Sequence, residues 1–319
     1  MLDALKSRPR HISLRLRKWN TTGITVGNST QLNSPGQIFI DSNNTLYIVS
    51  YGNSLVLKLL HNTINFIVVA GNDTGGSDSN QFNVPQGLYL DQNYNLYVSD
   101  FYNNRVQKWL YGALSGTTIA GISGSSGPAM NQFDGPVGLF LDSSNTYMYV
   151  ADINNHRIMR YFTNSTSGAA GTVVAGGNGA GNSNNQLNQP FSVYYDSASN
   201  YLYITNTGGQ AVIRWSPGAA SAMFVAGTVG VSGQGSTYLS APTHLTVDPY
   251  ENLYVSDYSN SRIQMFCTYN SSGITIAGNG TAGSDSTEIN GPRGFAFDSQ
   301  MNLYVSDMNN NRVQKFIKL

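Results

Sequence analysis

Aspartate and arginine recur together in this sequence, with the arginine five residues after the aspartate. The four pairs are Asp100 and Arg105, Asp152 and Arg157, Asp257 and Arg262, and Asp307 and Arg312. Two further copies of the same phrase lack both charges and carry Ser50 with Leu55, and Asn206 with Ala211. A lone buried charge is costly, whereas the loss of both partners is tolerated. We therefore predict a structural ion pair that clamps a turn, rather than four catalytic pairs.

Residues that commonly hold metals or form disulfides are scarce. Cys267 is the only cysteine, which excludes an internal disulfide, a RING finger and a cysteine-based zinc cluster. Two glycine-rich runs, GNDTGGSDSN and GNGTAGSDST, contain Asp73, Asp78 and Asp285, but they lack the ligand spacing of an EF-hand. Solvated turns are the default interpretation of such runs. We expect no bound metal and no cofactor.

The elements that carry these residues repeat six times. Each copy opens on a proline and continues in the manner of PQGLYLDQNYNLYVSDFYNNRVQKWL, and the starting points are Pro35, Pro85, Pro136, Pro190, Pro242 and Pro292. In each copy we predict a first strand that follows the proline and ends at an aspartate, an alternating LYVSD-like second strand and an RVQKW-like third strand. An apolar run ending in glycine, such as TTIAG, predicts a fourth. The copies lie 50 to 54 residues apart, which is typical of β-propeller blades.

The two ends of the chain predict how the ring closes. GITVGN at 23–28 is similar to GITIAGN at 273–279, so it is interpreted as a fourth strand that precedes the first full copy. The last copy ends after its third strand, beside which the N-terminal strand can pair at 312–317. We therefore predict an all-β fold: a six-bladed β-propeller of four-stranded antiparallel blades, closed by an N-terminal strand pairing with the last blade.

A short basic segment precedes this propeller. Residues 1–20 hold six basic residues and one acidic residue, a net charge of +5, whereas residues 21–319 hold 11 basic and 16 acidic residues, a net charge of −5. RLRKW at 15–19 is similar to RVQKW at 105–109, so residues 13–19 and 312–318 compete for one strand position. We divide the chain into a basic leader with an orphan repeat strand (1–20) and the propeller (21–319). The surplus strand favours a piece of a longer repeat array over a displaced leader.

The repeated phrase resembles the NHL repeat over residues 13–319. The YWTD propeller of lipoprotein receptors is the nearest rival, but here no tryptophan occupies the second strand, and the Asn-Asn-Arg turn favours NHL. WD40 repeats are disfavoured because Trp-Asp dipeptides are absent. The resemblance implies a six-bladed propeller. It also implies a choice among functions, since the family includes substrate-binding ends of ubiquitin ligases, RNA-binding regulators, extracellular sensor domains and an amidating lyase.

One turn position in each blade is a candidate for partner binding. The residue after the second strand is large and apolar or aromatic in five of the six copies: Tyr51, Phe101, Ile153, Tyr258 and Met308. Such residues are favoured at the centres of interfaces, so they predict a ring of anchors around the channel mouth. The alternative is that each one packs against the neighbouring blade.

Two singular residues beside the repeat proline, His244 and Arg293, indicate a second candidate site at the channel mouth, which Gln37 and Gln86 would complete. His244 and Arg293 stand at positions that are mostly glycine, serine or other uncharged residues in the other copies, and the alternative is a water-filled channel without a ligand. The amidating lyase, as the resemblance implies, is a zinc enzyme with histidine ligands in its channel. Of the four histidines here only His244 fits such a position, and one histidine cannot make a three-ligand zinc site.

The charge balance narrows the classes of molecule that the protein is expected to bind. The mildly acidic body lacks a basic face for nucleic acid, and no apolar run approaches the length of a membrane span. We predict a non-enzymatic protein-binding module that presents one loop face to a protein partner. The alternatives are the substrate-recognition part of a ubiquitin-ligase system, and a channel-site enzyme or metal binder related to the amidating lyase. No signal peptide occurs in the chain as written, which slightly favours a cytoplasmic location. The sequence does not indicate an oligomeric state.

Overall fold

The computed structural model describes residues 18–268 and 270–319. In these residues the regular structure consists of β-strands and three single-turn 3-10 segments, and the strands form six four-stranded antiparallel sheets. The sheets are the blades of a ring, so the predicted all-β, six-bladed propeller is confirmed. Among the described residues, no helix is long and apolar enough to cross a membrane.

The strand bounds follow the repeat closely. Blades 1 to 3 contain β2 (Pro35–Ile40), β3 (Leu46–Ser50), β4 (Leu55–Leu59), β5 (Phe66–Ala70), β6 (Pro85–Leu90), β7 (Leu96–Asp100), β8 (Arg105–Trp109), β9 (Thr117–Gly121), β10 (Pro136–Leu141), β11 (Tyr147–Asp152), β12 (Arg157–Phe162) and β13 (Thr172–Gly176). Blades 4 to 6 contain β14 (Pro190–Asp196), β15 (Tyr201–Asn206), β16 (Ala211–Trp215), β17 (Met223–Ala226), β18 (Pro242–Val247), β19 (Leu253–Asp257), β20 (Arg262–Phe266), β21 (Gly273–Ala277), β22 (Pro292–Phe297), β23 (Leu303–Asp307) and β24 (Arg312–Phe316), to which β1 (Ile24–Gly27) is added.

The first strand of each blade lies nearest the axis. Each of β2, β6, β10, β14, β18 and β22 contacts the first strands of both neighbouring blades. In every blade the register between the first and second strands shifts just after the proline. Such a bulge re-aims the side chains that follow it, so the residues next to the proline are set apart from the regular ladder.

The hydrophobic core is divided among the seams between blades. Each of the six buried clusters joins two neighbouring blades, as Ile158 of blade 3 and Trp215 of blade 4 do. The cluster that contains Ile48 of blade 1 also contains Tyr304 of blade 6, so the ring of cores is closed. Burial of one such side chain contributes about 1.5–3 kcal/mol, and each blade therefore depends on both neighbours.

The N-terminal strand closes the last blade, as predicted. β1 is antiparallel to β24, with Ile24 opposite Lys315 and Thr25 opposite Gln314. Blade 6 thus combines strands from the two ends of the chain, and β24 has a partner on each side. Closure of this kind removes an unpaired sheet edge.

Trp19 continues this closure at the base of β24. It forms an isolated bridge with Lys318, its indole Nε1 donates to the Met301 carbonyl at 2.8 Å, and its ring is buried in the core of blades 5 and 6. The predicted orphan strand at 13–19 falls mainly on residues 1–17, which lie outside the described residues, as does His11. The division at residue 20 and the longer repeat array stay predictions.

Two kinds of connection share one side of the disc, which we call the loop face. They are the loops that lead from each fourth strand into the next first strand, called D–A loops, and the turns between the second and third strands, called B–C turns. The residue before each proline is left-handed in all six blades: Ser34, Val84, Gly135, Gln189, Ala241 and Gly291.

In four B–C turns a side chain accepts a hydrogen bond from the loop of the next blade. Backbone N–H groups of these pre-proline residues bond the side chains of Asn104, His156, Gln210 and Asn311 at 2.7 to 3.1 Å. Neighbouring blades are therefore joined by polar as well as apolar contacts on the loop face. His156 makes this repeated hydrogen bond in its blade, through its Nδ1 atom.

Candidate functional site

Arg293 reaches across the loop-face end of the channel. It follows Pro292 at the start of β22, and its Nη2 donates to Oε1 of Gln86 in blade 2 at 2.6 Å. Blade 1, which lies between these two blades, has Gly36 at the equivalent position and so places no side chain in the way. The structure thus brings together two of the four predicted mouth residues, from blades that are not neighbours.

Aromatic rings flank the Arg293 guanidinium. Its Cζ lies 4.6 Å from the ring centre of Phe191 in blade 4 and 5.8 Å from that of Tyr51 in blade 1. Its Nη1 lies 3.8 Å from the Met308 sulfur, and the Tyr51 hydroxyl lies 3.7 Å from the same atom. Side chains from four blades therefore meet at the mouth, and cation–π contact supports the charge there.

Within residues 18–268 and 270–319, no carboxylate lies beside the charge of Arg293. Among the described residues, none of the ion pairs includes Arg293, and its buried Nε has no hydrogen-bond partner. Burial lowers the pKa of its guanidinium, and the nearby Tyr51 and Tyr258 oppose that effect. An arginine keeps its proton at neutral pH even so, and a partly desolvated positive charge remains at the mouth.

Gln37 and His244 occupy the next position along their strands, two residues after the proline. The Nδ1 of His244 lies 3.3 Å from Ser192 Oγ, and its ring packs edge-on against Phe295 at 4.9 Å between centres. Neither His244 nor Gln37 has a described contact with Arg293. The predicted polar site therefore consists of two layers. Arg293 and Gln86 form the layer nearer the loop face, and Gln37 and His244 form the deeper one.

His244 is a weak base in this setting. Burial lowers the pKa of its imidazole to about 4, against a small opposing effect of the Phe295 backbone. At neutral pH the ring is therefore uncharged, and it can exchange a hydrogen bond with Ser192. A general base works best with a pKa near the working pH, which this histidine does not have.

The five predicted anchors lie in three places: two pairs and Tyr258 by itself. Tyr51 and Met308 contact each other beside Arg293, and Met308 is buried. Phe101 and Ile153 are partly buried against the core of blades 3 and 4, which accords with packing on a neighbouring blade. Tyr258 is half-buried beside Gly291 of the next blade. Only part of the predicted ring therefore faces the mouth.

The four Asp–Arg pairs are ion pairs on the loop face, with all four aspartates buried and only Arg312 among the arginines partly exposed. The Nε–carboxylate distances are 2.8 Å for Arg105, 2.7 Å for Arg157 and Arg262, and 2.5 Å for Arg312. In each pair the two Nη atoms bond three backbone carbonyls of the D–A loop; for Arg105 these belong to Ser77, Asp78 and Gln81. The aspartate also accepts the backbone N–H of that loop, from Asn83 to Asp100 at 2.7 Å. We call this arrangement the clamp.

Burial and hydrogen bonding oppose each other within the clamp. Burial raises the pKa of the Asp100 carboxyl, and Asn103, the Asn83 backbone and Arg105 counteract that rise. The same balance raises the pKa of the three other clamp aspartates, Asp152, Asp257 and Asp307. These carboxylates are committed to the loops and do not open into the channel.

The two blades without charges keep a reduced form of the clamp. In blade 1 the Asn33 N–H donates to Ser50 Oγ at 3.0 Å, and in blade 4 the Asn188 N–H donates to Asn206 Oδ1 at 2.6 Å. The contacts of an arginine with loop carbonyls are missing there, and the buried Asn206 Nδ2 has no partner. Blades 1 and 4 therefore hold their D–A loops with fewer bonds.

An arc of aromatic residues deeper in the channel was missed from the sequence. Phe39, Tyr89, Phe140 and Tyr194 stand four residues after their prolines, and successive ring centres lie 5.1, 5.0 and 4.8 Å apart. Burial raises the pKa of Tyr89 to about 12. The signal was the shared position in four repeats, which Thr246 and Ala296 break in blades 5 and 6. Phe191 was missed as well, because its neighbours in space come from distant repeats.

Metal-binding groups do not gather in the part of the chain that the structure describes. No three His, Cys, Asp or Glu side chains there lie close enough to hold one ion. His61 is exposed, and His156 is occupied by the bond from the Gln189 backbone. Chemically, the mouth offers one cation, an amide and aromatic walls.

Comparison with known proteins supports the fold. A family model described as NHL repeat matches residues 82–109 and 290–316, which lie in blades 2 and 6. No curated protein matches the chain by sequence. An auxiliary nutrient binding protein from Bacteroides thetaiotaomicron has a similar structure, with a TM-score of 0.67, 16% identity, and coverage of 94% of this chain and 72% of its own.

Two solved enzymes share the same architecture. A gluconolactonase from Xanthomonas campestris aligns with a TM-score of 0.67 at 14% identity, covering 97% of this chain and 94% of its own. Virginiamycin B lyase from Staphylococcus aureus aligns with a TM-score of 0.59 at 11% identity, covering 93% and 99%. Likeness at such identities establishes a shared fold and no shared activity. The two matched repeats and the closed ring of six blades together support an NHL-repeat six-bladed propeller.

Proposed function

We propose that this propeller is a non-catalytic binding module that receives a protein partner on its loop face, at the mouth formed around Arg293. One observation carries the proposal. Residues at a position that varies from copy to copy come from separate blades and meet at this mouth, as the 2.6 Å bond between Arg293 and Gln86 illustrates. Residues that follow the repeat, such as the clamp, hold the loops in place.

The composition of the mouth supports a binding role. Arginine, tyrosine and methionine are enriched at the centres of protein interfaces, and Arg293, Tyr51 and Met308 are in contact here. A few such residues usually supply most of the binding free energy. Exposed Tyr102, with 60% of its surface accessible, extends the aromatic character of this face outward.

Affinity capture with paired variants tests the proposal. The immobilised protein is exposed to an extract of its source cells, and retained proteins are compared between the wild type and a Tyr51→Ala, Tyr258→Ala double variant. We expect at least one protein to be retained by the wild type and lost by at least about tenfold with the double variant, because two anchors are truncated. Thermal melting establishes that both proteins are folded.

Leu114→Ala is the matched control. Leu114 is 91% exposed on the connection between β8 and β9, on the opposite face from the mouth. Its truncation should leave capture unchanged. Equal capture by the wild type and the mouth variant, or turnover of a small molecule lost with the same variant, would contradict a non-catalytic module that binds at the mouth.

A further inference from the structure

We propose that the mouth recognises a single carboxylate group carried beside an apolar group, with Arg293 as the residue that binds it. This inference rests on the proposed function in placing the ligand at the mouth, and it adds the chemistry that is recognised. A free organic acid and a carboxylate on a protein segment share this chemistry. The experiment below separates the two sources.

The clamp arginines show how many hydrogen bonds a guanidinium in this ring makes when all its nitrogens have partners. Arg157 bonds the Asp152 carboxylate through Nε and three loop carbonyls through its Nη atoms, so each of its three nitrogens has an oxygen partner. In the part of the chain that the structure describes, Arg293 has one oxygen partner, Gln86 Oε1, and one weak sulfur partner, Met308. The same side chain type, in the same ring, is therefore satisfied at the clamp and left with unused donors at the mouth.

Besides having unused hydrogen-bond donors, the Arg293 guanidinium has no counter-ion among the described residues. A buried guanidinium without a counter-ion is unfavourable, and contact with Phe191 and Tyr51 offsets only part of that cost. A carboxylate oxygen at Nη1 replaces the sulfur of Met308 with a charged acceptor. Charge-assisted bonds of this kind are about twice as strong as neutral ones.

Gln86 prepares the site for an acidic ligand. Its oxygen accepts from Arg293, so its amide Nε2 carries N–H donors that no other described residue uses. The mouth therefore presents donors from two residues and a positive charge, with no acidic side chain among its described contacts. Anions are favoured in such a site and cations are excluded.

The apolar side chains around Arg293 and its single positive charge determine which kind of anion fits the mouth. One guanidinium balances one carboxylate, whereas a phosphate dianion leaves a negative charge in a partly desolvated site. Phe191, Tyr51 and Met308 offer apolar surface beside the guanidinium rather than further donors. A carboxylate attached to an aliphatic or aromatic body satisfies both features.

Titration with small probes tests this inference on the whole chain. The probes are 3-phenylpropionate, its amide 3-phenylpropionamide, inorganic phosphate, and the capped peptide acetyl-Leu-Glu-Leu-amide with its glutamine counterpart. Binding is followed by calorimetry and by the NMR signal of the Arg293 Nε–H group. We expect both carboxylate probes to bind more tightly than their neutral counterparts and than phosphate, and to shift that signal.

Three variants show whether Arg293 is the receptor. Arg293→Met should weaken carboxylate binding by at least about tenfold, because a charge-assisted bond is lost. Arg293→Lys keeps the charge and should retain part of the binding. Arg160→Met is the control, since Arg160 also lies over a tyrosine ring, 4.6 Å from the centre of Tyr147, but on the third strand of its blade.

The outcomes separate the inference from the proposed function. Binding of the free acid alone identifies a small-molecule acid as the source, and tighter binding of the peptide identifies a protein segment. Failure of every carboxylate probe, or equal binding by Arg293→Met, overturns the carboxylate site even if the mouth variants still lose a captured protein. Probe binding at Arg293 together with unchanged capture by the Tyr51→Ala, Tyr258→Ala variant overturns the protein-binding function alone.

Discussion

Asp100 joins three parts of one blade through a single carboxylate. It accepts from the Asn83 backbone in the D–A loop, from Asn103 in the B–C turn, and from Arg105 at the start of β8. Both charged side chains are almost inaccessible, at 4% and 0%. The carboxylate and the guanidinium therefore neutralise each other in a place where neither is stable alone.

Removal of one clamp charge should destabilise the fold strongly. Arg105→Leu leaves Asp100 buried without its counter-ion and frees three loop carbonyls, so we expect a loss of about 3–5 kcal/mol in the free energy of unfolding. Urea denaturation followed by tryptophan fluorescence measures this loss.

The double variant Asp100→Ser, Arg105→Leu is the matched comparison, because it copies Ser50 and Leu55 of blade 1. It should lose less stability than Arg105→Leu alone, since no uncompensated charge remains. A double variant less stable than the single one would show that the charges contribute independently.

His244 should make stability depend on pH over a defined window. Its pKa is lowered from 6.5 to about 4 in the folded protein, so between these values the unfolded chain binds a proton that the folded chain does not. Stability is then lost as the pH falls from 6.5 towards 4, by about 3 kcal/mol for this residue. Denaturation curves of the wild type and His244→Gln, compared from pH 7 to pH 4.5, measure the difference; a constant difference would refute the shift.

At the scale of elements, the repeat made most of the architecture predictable. Proline, an apolar first strand and the LYVSD-like second strand recur in register, so strand order and the closing role of β1 follow from the sequence. The mouth was less predictable. Alternation along β22 cannot show that Arg293 reaches Gln86, because this contact depends on the bulge after the proline and on the absence of a side chain at Gly36.

His156 fills a turn position that amides fill in three other blades. It stands in the Asn-Asn-His-Arg turn, where sequence alone gave it no role. The structure places it among Asn104, Gln210 and Asn311, which all accept a backbone N–H from the following blade. The common property is an acceptor atom on a left-handed residue, and three different side chain types supply it.

Closure by β1 predicts that the ring tolerates a new chain order. The Leu319 N–H donates to the Lys18 carbonyl at 2.8 Å, so residues 319 and 18 can be joined by a short glycine-rich linker. A circular permutant that starts in the loop between β5 and β6 and omits residues 1–17 should fold with the far-ultraviolet circular dichroism of the parent, because β1 still pairs with β24.

A second permutant without residues 18–30 supplies the contrast. It leaves β24 as an unpaired edge, and such edges promote association between chains. Size-exclusion chromatography should show larger species for this protein and monomer-sized elution equal to the parent for the first permutant. Identical behaviour of the two would mean that β1 does not matter for closure.

In the molecule as a whole, equal numbers of acidic and basic residues do not mean that every charge is paired. Four arginines and four aspartates neutralise each other inside the clamps, and Lys315 pairs with Asp298 at 3.5 Å. Arg293 is outside this scheme, near the axis of the ring. Net charge alone therefore gave no sign of a positive mouth, whereas the spacing of the clamp residues did indicate which charges were already in use.

The position of the two reduced clamps has a mechanical consequence. Blades 1 and 4 are opposite each other in a ring of six, and they hold their loops through Ser50 and Asn206 without an arginine. The same blades supply Tyr51 and Phe191, the two rings on either side of Arg293. Because these two blades hold their loops with the fewest bonds, we expect the width of the mouth to vary more along the line between blades 1 and 4 than between the four clamped blades.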